Sequence, residues 1–139
     1  MCSSFSLSLG QKAAVFITLL VAALFAYRDA FDVLIPTDSL TLLFKFKTFG
    51  AKGLLHNFYD VGLAPVSDSI LFLLYKLFST NATGWIISSL FFHSINSFLV
   101  FLVSLQLYAP FSSNSRFMVS FFSAGLFLLS PFQTEAVLW

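Results

Sequence analysis

Trp85–Ala109 reads WIISSLFFHSINSFLVFLVSLQLYA, and this stretch decides the class of fold. It holds no charged side chain when His93 is neutral, and as a helix it is long enough to cross a hydrocarbon core of about 30 Å with some tilt. Ser89, His93, Ser97 and Ser104 recur along it at helical spacing, with Asn96 beside them, while Leu, Ile, Phe and Val fill the rest. Polar groups on one side of a span want protein or a water-filled cavity beside them rather than lipid, so the segment reads as a member of a bundle. Trp85 and Tyr108 suit the two interfacial aromatic belts.

Working outward, the whole chain shares this character. Of 139 residues, 58% are hydrophobic, twenty are Phe and only 9% are charged, against about 25% charged in soluble domains. So few charges cannot cover the surface of a soluble domain of this size, which excludes a cytoplasmic globule, a disordered tail and a coiled coil. The net charge of +1 makes no basic stripe and gives no reason to expect nucleic acid. Cys2 is the single cysteine, so neither an intrachain disulfide nor a thiolate zinc cluster can be built.

An earlier apolar run, Ala13–Tyr27, is entered from Gln11-Lys12 and left at Arg28-Asp29. Extending it back through Leu7-Ser8-Leu9-Gly10 supplies the turn it needs, giving a first span over 7–27. A signal peptide cleaved near Ala22-Ala23 or Ala26 is the competing reading, but more membrane-like segments follow and favour an uncleaved anchor. Beyond the second span (84–109), the polar turn Pro110–Arg116 leads to a third, 117–132, which Pro131 ends or kinks. The sequence closes on Val137-Leu138-Trp139 straight after that break, the pattern of an interrupted polytopic chain, with a fragment or a small protein as alternatives. The expected fold is all-α: a multi-pass membrane protein of about three transmembrane helices with one long outer loop.

That loop, 28–83, carries ten of the thirteen charges, five of each sign. Within it Leu40–Leu55 reads as a short helix with Leu40, Leu43, Phe44 and Phe46 on its apolar side, capped by Thr37-Asp38-Ser39 and weakened at its end by Gly50 and Gly53. Val66–Phe78 reads as a second, behind Pro65 and with Ser67 or Asp68 as its cap. Both are too short to span, so they are expected to lie in the interface or on the bundle mouth. Lys12 and Arg116 flank the spans without an acid, which places the N-terminus and the 110–116 turn in the cytoplasm and the long loop outside. Where that side is a lumen, Asn81-Ala82-Thr83 is a glycosylation sequon, with the closeness of Trp85 against easy modification.

Several residues are candidates for chemistry. Asp29 and Asp32 are three apart, so a continued helix sets both carboxylates on one side. At a membrane mouth they can serve as a general base or hold a divalent cation; the alternative is an ordinary pair of interface caps bridged to Arg28. His56, Tyr59 and Asp60 form a polar cluster suited to a sugar hydroxyl or a phosphate, and equally to a turn before Gly62 and Pro65. His93 and Asn96 are intramembrane polar groups, either substrate-binding or interhelical glue. Glu135 follows Pro131 and is placed at the same outer mouth. Lys45, Lys47, Lys52 and Lys76 suit anionic membrane lipid. No Walker, dinucleotide, HExxH or nucleophile-elbow motif is present.

The order of these features resembles the amino-terminal part of polytopic GT-C glycosyltransferases, including protein O-mannosyltransferase-like and tetratricopeptide-linked membrane mannosyltransferases. The resemblance rests on Gly62–Phe78, the link Ser79-Thr80-Asn81-Ala82-Thr83-Gly84-Trp85, the span segment Phe92-His93-Ser94-Ile95-Asn96-Ser97, and Ser130-Pro131 leading to Glu135-Ala136-Val137-Leu138-Trp139. It implies a partial GT-C-like bundle in the bacterial inner membrane or endoplasmic reticulum. It implies too a sugar transfer from a polyprenyl-phosphate-linked donor to a protein or glycan on the non-cytoplasmic face. The acid just beyond the first span maps to Asp29 or Asp32, with Asp29 nearer the membrane exit. Two departures stand out: Ala64-Pro65 where the family has Arg-Pro, and Ser130-Pro131 where it has His-Pro. Both remove a cationic or ionisable group, so a degenerate relative stays open, as does a non-catalytic membrane subunit whose Ser89/His93/Asn96/Ser97 face docks a larger partner.

Overall fold

The computed structural model describes residues 7–32, 37–52 and 65–130. Among them the chain is all-α: α1 is Leu9–Ala26, a 3-10 turn follows over Arg28–Asp32, and then come α2 (Thr37–Phe49), α3 (Pro65–Phe78), α4 (Ala82–Leu107) and α5 (Ser113–Leu128). Two of these, α1 with 18 residues and α4 with 26, are long and apolar enough to cross a membrane, each reaching a mean hydropathy of 1.9. The expected third span, 117–132, falls on the 16-residue α5, set four residues earlier and, at about 24 Å, short of the membrane length that α1 and α4 reach.

Local chemistry accounts for the helix ends. Ser8 caps α1 in a reciprocal box: its hydroxyl accepts from the Gln11 N–H and the Gln11 amide oxygen accepts from the Ser8 N–H. Leu40–Leu55 was expected as one helix; α2 instead runs Thr37–Phe49, so the expected cap Thr37-Asp38-Ser39 forms its first turn. It stops where Gly50 takes φ 55°, a left-handed conformation that favours glycine. Pro65 opens α3, where a missing N–H costs nothing.

Packing divides the described residues into two compact units, with the division falling inside α4 between Ser88 and Ser89. The first unit contains α1, most of α4, and α5. Val15, Leu19 and Ala23 of α1 are buried, as are Ser120, Ala124 and Leu128 of α5, each set spaced by four and so forming one stripe. Phe16 meets Phe98 edge-on at 5.7 Å, and Phe101 meets Phe117 at 5.7 Å. α1 and α5 run parallel, because Gln11–Thr18 shares an apolar groove of about 330 Å³ with Phe117 and Phe121 while Tyr27 reaches Leu128 at the other end. α4 runs against them: its Leu105 carbonyl accepts from Arg116 Nε at the start of α5. Lys12 and Arg116 therefore lie at one end of the unit, and Arg28 and Asp29 follow α1 at the other.

The second unit contains α2, α3 and the first turns of α4. Phe46, 1% exposed, packs against Phe72 (5.3 Å) and Tyr75 (5.9 Å), and Leu43 is buried beside it. Phe44, expected on the same apolar side, is instead 67% exposed, since the helix turns it about 100° from Leu43 and about 160° from Phe46.

Candidate functional site

The polar residues of α4 sort into two faces. Buried are Ser88, His93, Ser94, Ser97 and Ser104; Ser89 is half-buried and Asn96 exposed. The expected single polar face is thus divided, because a three-residue step turns Asn96 about 60° from His93, on the side away from Ser97. The sequence pattern also passed over Ser88 and Ser94, both of which are buried. The serines need no neighbouring helix to be satisfied. Ser88, Ser94 and Ser97 each donate to the carbonyl four residues back, at 2.8, 2.8 and 3.0 Å. Ser120 Oγ on α5 is buried with no partner among the described residues.

His93 makes the long-range polar contact. Its Nε2 donates to the Leu128 carbonyl at 3.0 Å, and the Tyr27 hydroxyl donates to the same oxygen at 3.1 Å. Tyr27 stands edge-on to the imidazole at 6.0 Å, and Phe127 lies over it at 5.5 Å. The acceptor is a last-turn carbonyl of α5, which has no N–H four residues ahead inside the helix. The residue three ahead is Pro131, which carries no N–H at all. Two side chains from two other helices fill that vacancy and join α1, α4 and α5 at one atom. Neither Tyr27 nor the Leu128 carbonyl was anticipated from sequence; the available signal was the proline three residues beyond the last helical turn.

Asp29 stands in the 3-10 turn directly after α1 and pairs with Arg28 at 3.5 Å; the two side chains are 92% and 67% exposed. Arg28 also lies over the Phe25 ring, 5.2 Å from its centroid. The side chain of Asp32 lies outside the described residues, as do His56, Tyr59, Asp60 and Glu135 entirely. Among the described residues no group of three or more His, Cys, Asp or Glu side chains is gathered in a way that could hold a metal ion. The groove between α1 and α5 is lined by Gln11, Ala14, Val15, Thr18, Phe117 and Phe121, and includes neither Asp29 nor His93.

In the second unit, the link between α3 and α4 is built closely. Ser79 takes φ 50° and ends α3 with its N–H on the Tyr75 carbonyl. Asn81 Oδ1 accepts from the Gly84 N–H at 3.4 Å and so caps α4. The Trp85 indole N–H donates to the Ser79 carbonyl at 2.9 Å. Gly84 lies against Phe78: a Cβ there would stand 2.9 Å from Phe78 Cβ and nearer still to the ring. The sequon asparagine and the belt tryptophan thus both have structural work in one corner. Comparison with protein-family models, with curated proteins and with solved structures finds no match to this chain.

Proposed function

We propose that this chain forms the amino-terminal membrane part of a GT-C-like glycosyltransferase that takes a sugar from a polyprenyl-phosphate-linked donor. The observation that carries the reading is the place of Asp29. It is an exposed carboxylate immediately after the first membrane-length helix, at the opposite end of its unit from Lys12 and Arg116. With the basic end in the cytoplasm, Asp29 stands on the outer side, where the lipid-linked donor presents its sugar. Its carboxylate takes the proton of the acceptor hydroxyl as that oxygen attacks the anomeric carbon. The bond from that carbon to the phosphate oxygen breaks, and polyprenyl phosphate leaves. Asp32 serves as the second carboxylate of the pair. His56, Tyr59, Asp60 and Glu135 are assigned to the sugar and phosphate, and a divalent cation on the two aspartates is part of the same proposal.

The α3–α4 corner adds support of a different kind. Phe78, Asn81, Gly84 and Trp85, the residues on which the family resemblance partly rests, each have a geometric role there, so the resemblance falls on a fold element rather than on scattered letters. The second reading, a non-catalytic membrane subunit, draws on the inward-facing network: the polar groups of His93, Ser88, Ser94 and Ser97 are each taken up by a carbonyl of their own unit. The test is transfer itself. Membranes carrying the protein are supplied with a radiolabelled polyprenyl-phosphate hexose, and incorporation into protein or glycan is counted. Incorporation above vector membranes that falls at least a hundredfold in Asp29→Asn supports the transferase; a wild-type signal equal to vector, or an unchanged Asp29→Asn, overturns it.

A further inference from the structure

The exposed side of α4 carries its own pattern. Ser89, Phe92, Asn96, Leu99, Val103 and Gln106 follow one another at steps of three and four, the heptad spacing that keeps one stripe facing a partner helix. Phe92, Leu99 and Val103 are 42%, 51% and 55% exposed, and Asn96 and Gln106 are exposed with them. The opposite side, centred on Ser94, Ser97 and Phe101, is buried against the rest of the unit. Asn96 stands about 21 Å from the start of α4 and about 16 Å from its end, so in a membrane it lies at mid-depth. A carboxamide there faces hydrocarbon on an otherwise apolar surface, and it is stabilised only by a hydrogen-bonding partner from another helix.

From this we infer that α4 pairs with α4 of a second copy of this chain, in register and parallel, with Asn96 hydrogen-bonded to its counterpart across a two-fold axis. The amide is both donor and acceptor, so it is its own complement. Two copies inserted with the same topology bring their α4 helices together parallel, and parallel alignment of the stripe sets Asn96 opposite Asn96. A lone Asn at such a seam position fixes register in coiled coils. The pairing concerns a surface that lies on the exposed side of α4, beside the buried His93 and turned away from Ser94 and Phe101, and does not depend on transferase activity.

Single cysteines placed in the full chain, in a Cys2→Ser background, test this in lipid vesicles. Leu99→Cys and Val103→Cys should cross-link under mild oxidation at least tenfold faster than Val21→Cys on α1 or Met118→Cys on α5, both of which are exposed controls. Adding Asn96→Val should cut cross-linking at Leu99→Cys about tenfold, with helical content unchanged by circular dichroism, whereas Asn96→Gln should retain most of it. A monomeric wild type, equal cross-linking at the control positions, capture of a different membrane protein in place of the copy, or an Asn96→Val chain that cross-links as before would each overturn the inference.

Discussion

Replacing Gly84 by alanine tests the α3–α4 corner most directly. The new methyl group would meet three atoms of Phe78 closer than real contacts allow, one of them Cβ at 2.9 Å. The ring can rotate, but Phe78 Cβ is fixed by the backbone of α3, so relief requires the helices to shift. Overpacking of this kind costs about 1–3 kcal/mol, and an anchored atom among the three puts it near the upper figure. Alanine returns about 1 kcal/mol of helix propensity over glycine, leaving a net loss of about 2 kcal/mol. The assay is a double-mutant cycle with Phe78→Ala, read by circular dichroism during unfolding in mixed micelles of rising SDS fraction. With the ring gone only the 2.9 Å approach to the Cβ remains, so Gly84→Ala should then cost distinctly less than in the wild type, the retained Cβ contact being offset by the gain of about 1 kcal/mol in helix propensity. If Gly84→Ala destabilises equally in both backgrounds, or stabilises the wild type, the close approach of Gly84 to Phe78 is not what holds this corner.

Other perturbations follow from the same geometry. Tyr27→Phe and His93→Leu should each cost only about 1 kcal/mol, since either donor alone still satisfies the Leu128 carbonyl; the double variant, leaving that oxygen bare, should lose about 1–3 kcal/mol more than their sum, measured by the same unfolding titration. Ser79→Gly should raise the unfolding midpoint by up to about 1 kcal/mol, because φ 50° strains any side chain but glycine's, and Ser79→Val should lower it. Asp29→Asn should leave the unfolding midpoint unchanged, as its partner Arg28 and the carboxylate are both open to solvent; a fall in transfer activity by that variant therefore reports on chemistry and not on folding.

The sequence made some of this legible and not the rest, for identifiable reasons. The two membrane-length helices follow from unbroken apolar runs, whereas the capping box Ser8-Leu9-Gly10-Gln11 that starts α1 went unread although its spacing is standard. The boundary of α2 was misjudged because Gly50 and Gly53 both weaken a helix, and only backbone geometry tells that the first one ends it. The polar face of α4 was drawn too wide. His93, Asn96 and Ser97 sit within five residues, yet a helix turns far enough across them to bury two and expose one. The Leu128 carbonyl was invisible to any reading of side-chain types, since its reactivity lies in the backbone and in what Pro131 cannot donate.

Subtraction then narrows where function can reside. Among the described residues, the His93 Nε2 proton is held by a helix-end carbonyl, the hydroxyls of Ser88, Ser94 and Ser97 by their own helix, Asn81 Oδ1 by a helix start and the Trp85 indole by a turn. Each of these bonds is intramolecular, and breaking one of the buried ones, those of His93, Ser88, Ser94 and Ser97, to receive a substrate would leave a buried polar group unpaired, at about 1–3 kcal/mol. Asp29, whose exposed pairing with Arg28 is worth little in water, and Asn96, whose amide faces outward at mid-span, are not committed in this way. One lies in solvent, where a carboxylate can take a proton. The other lies where lipid would surround it, and there an amide is stabilised only by a second helix. Under the two proposals chemistry and assembly fall to different residues, and the aspartate and asparagine variants separate them: Asp29→Asn should change transfer without changing association, and Asn96→Val should change association while every bond in the buried network stays in place.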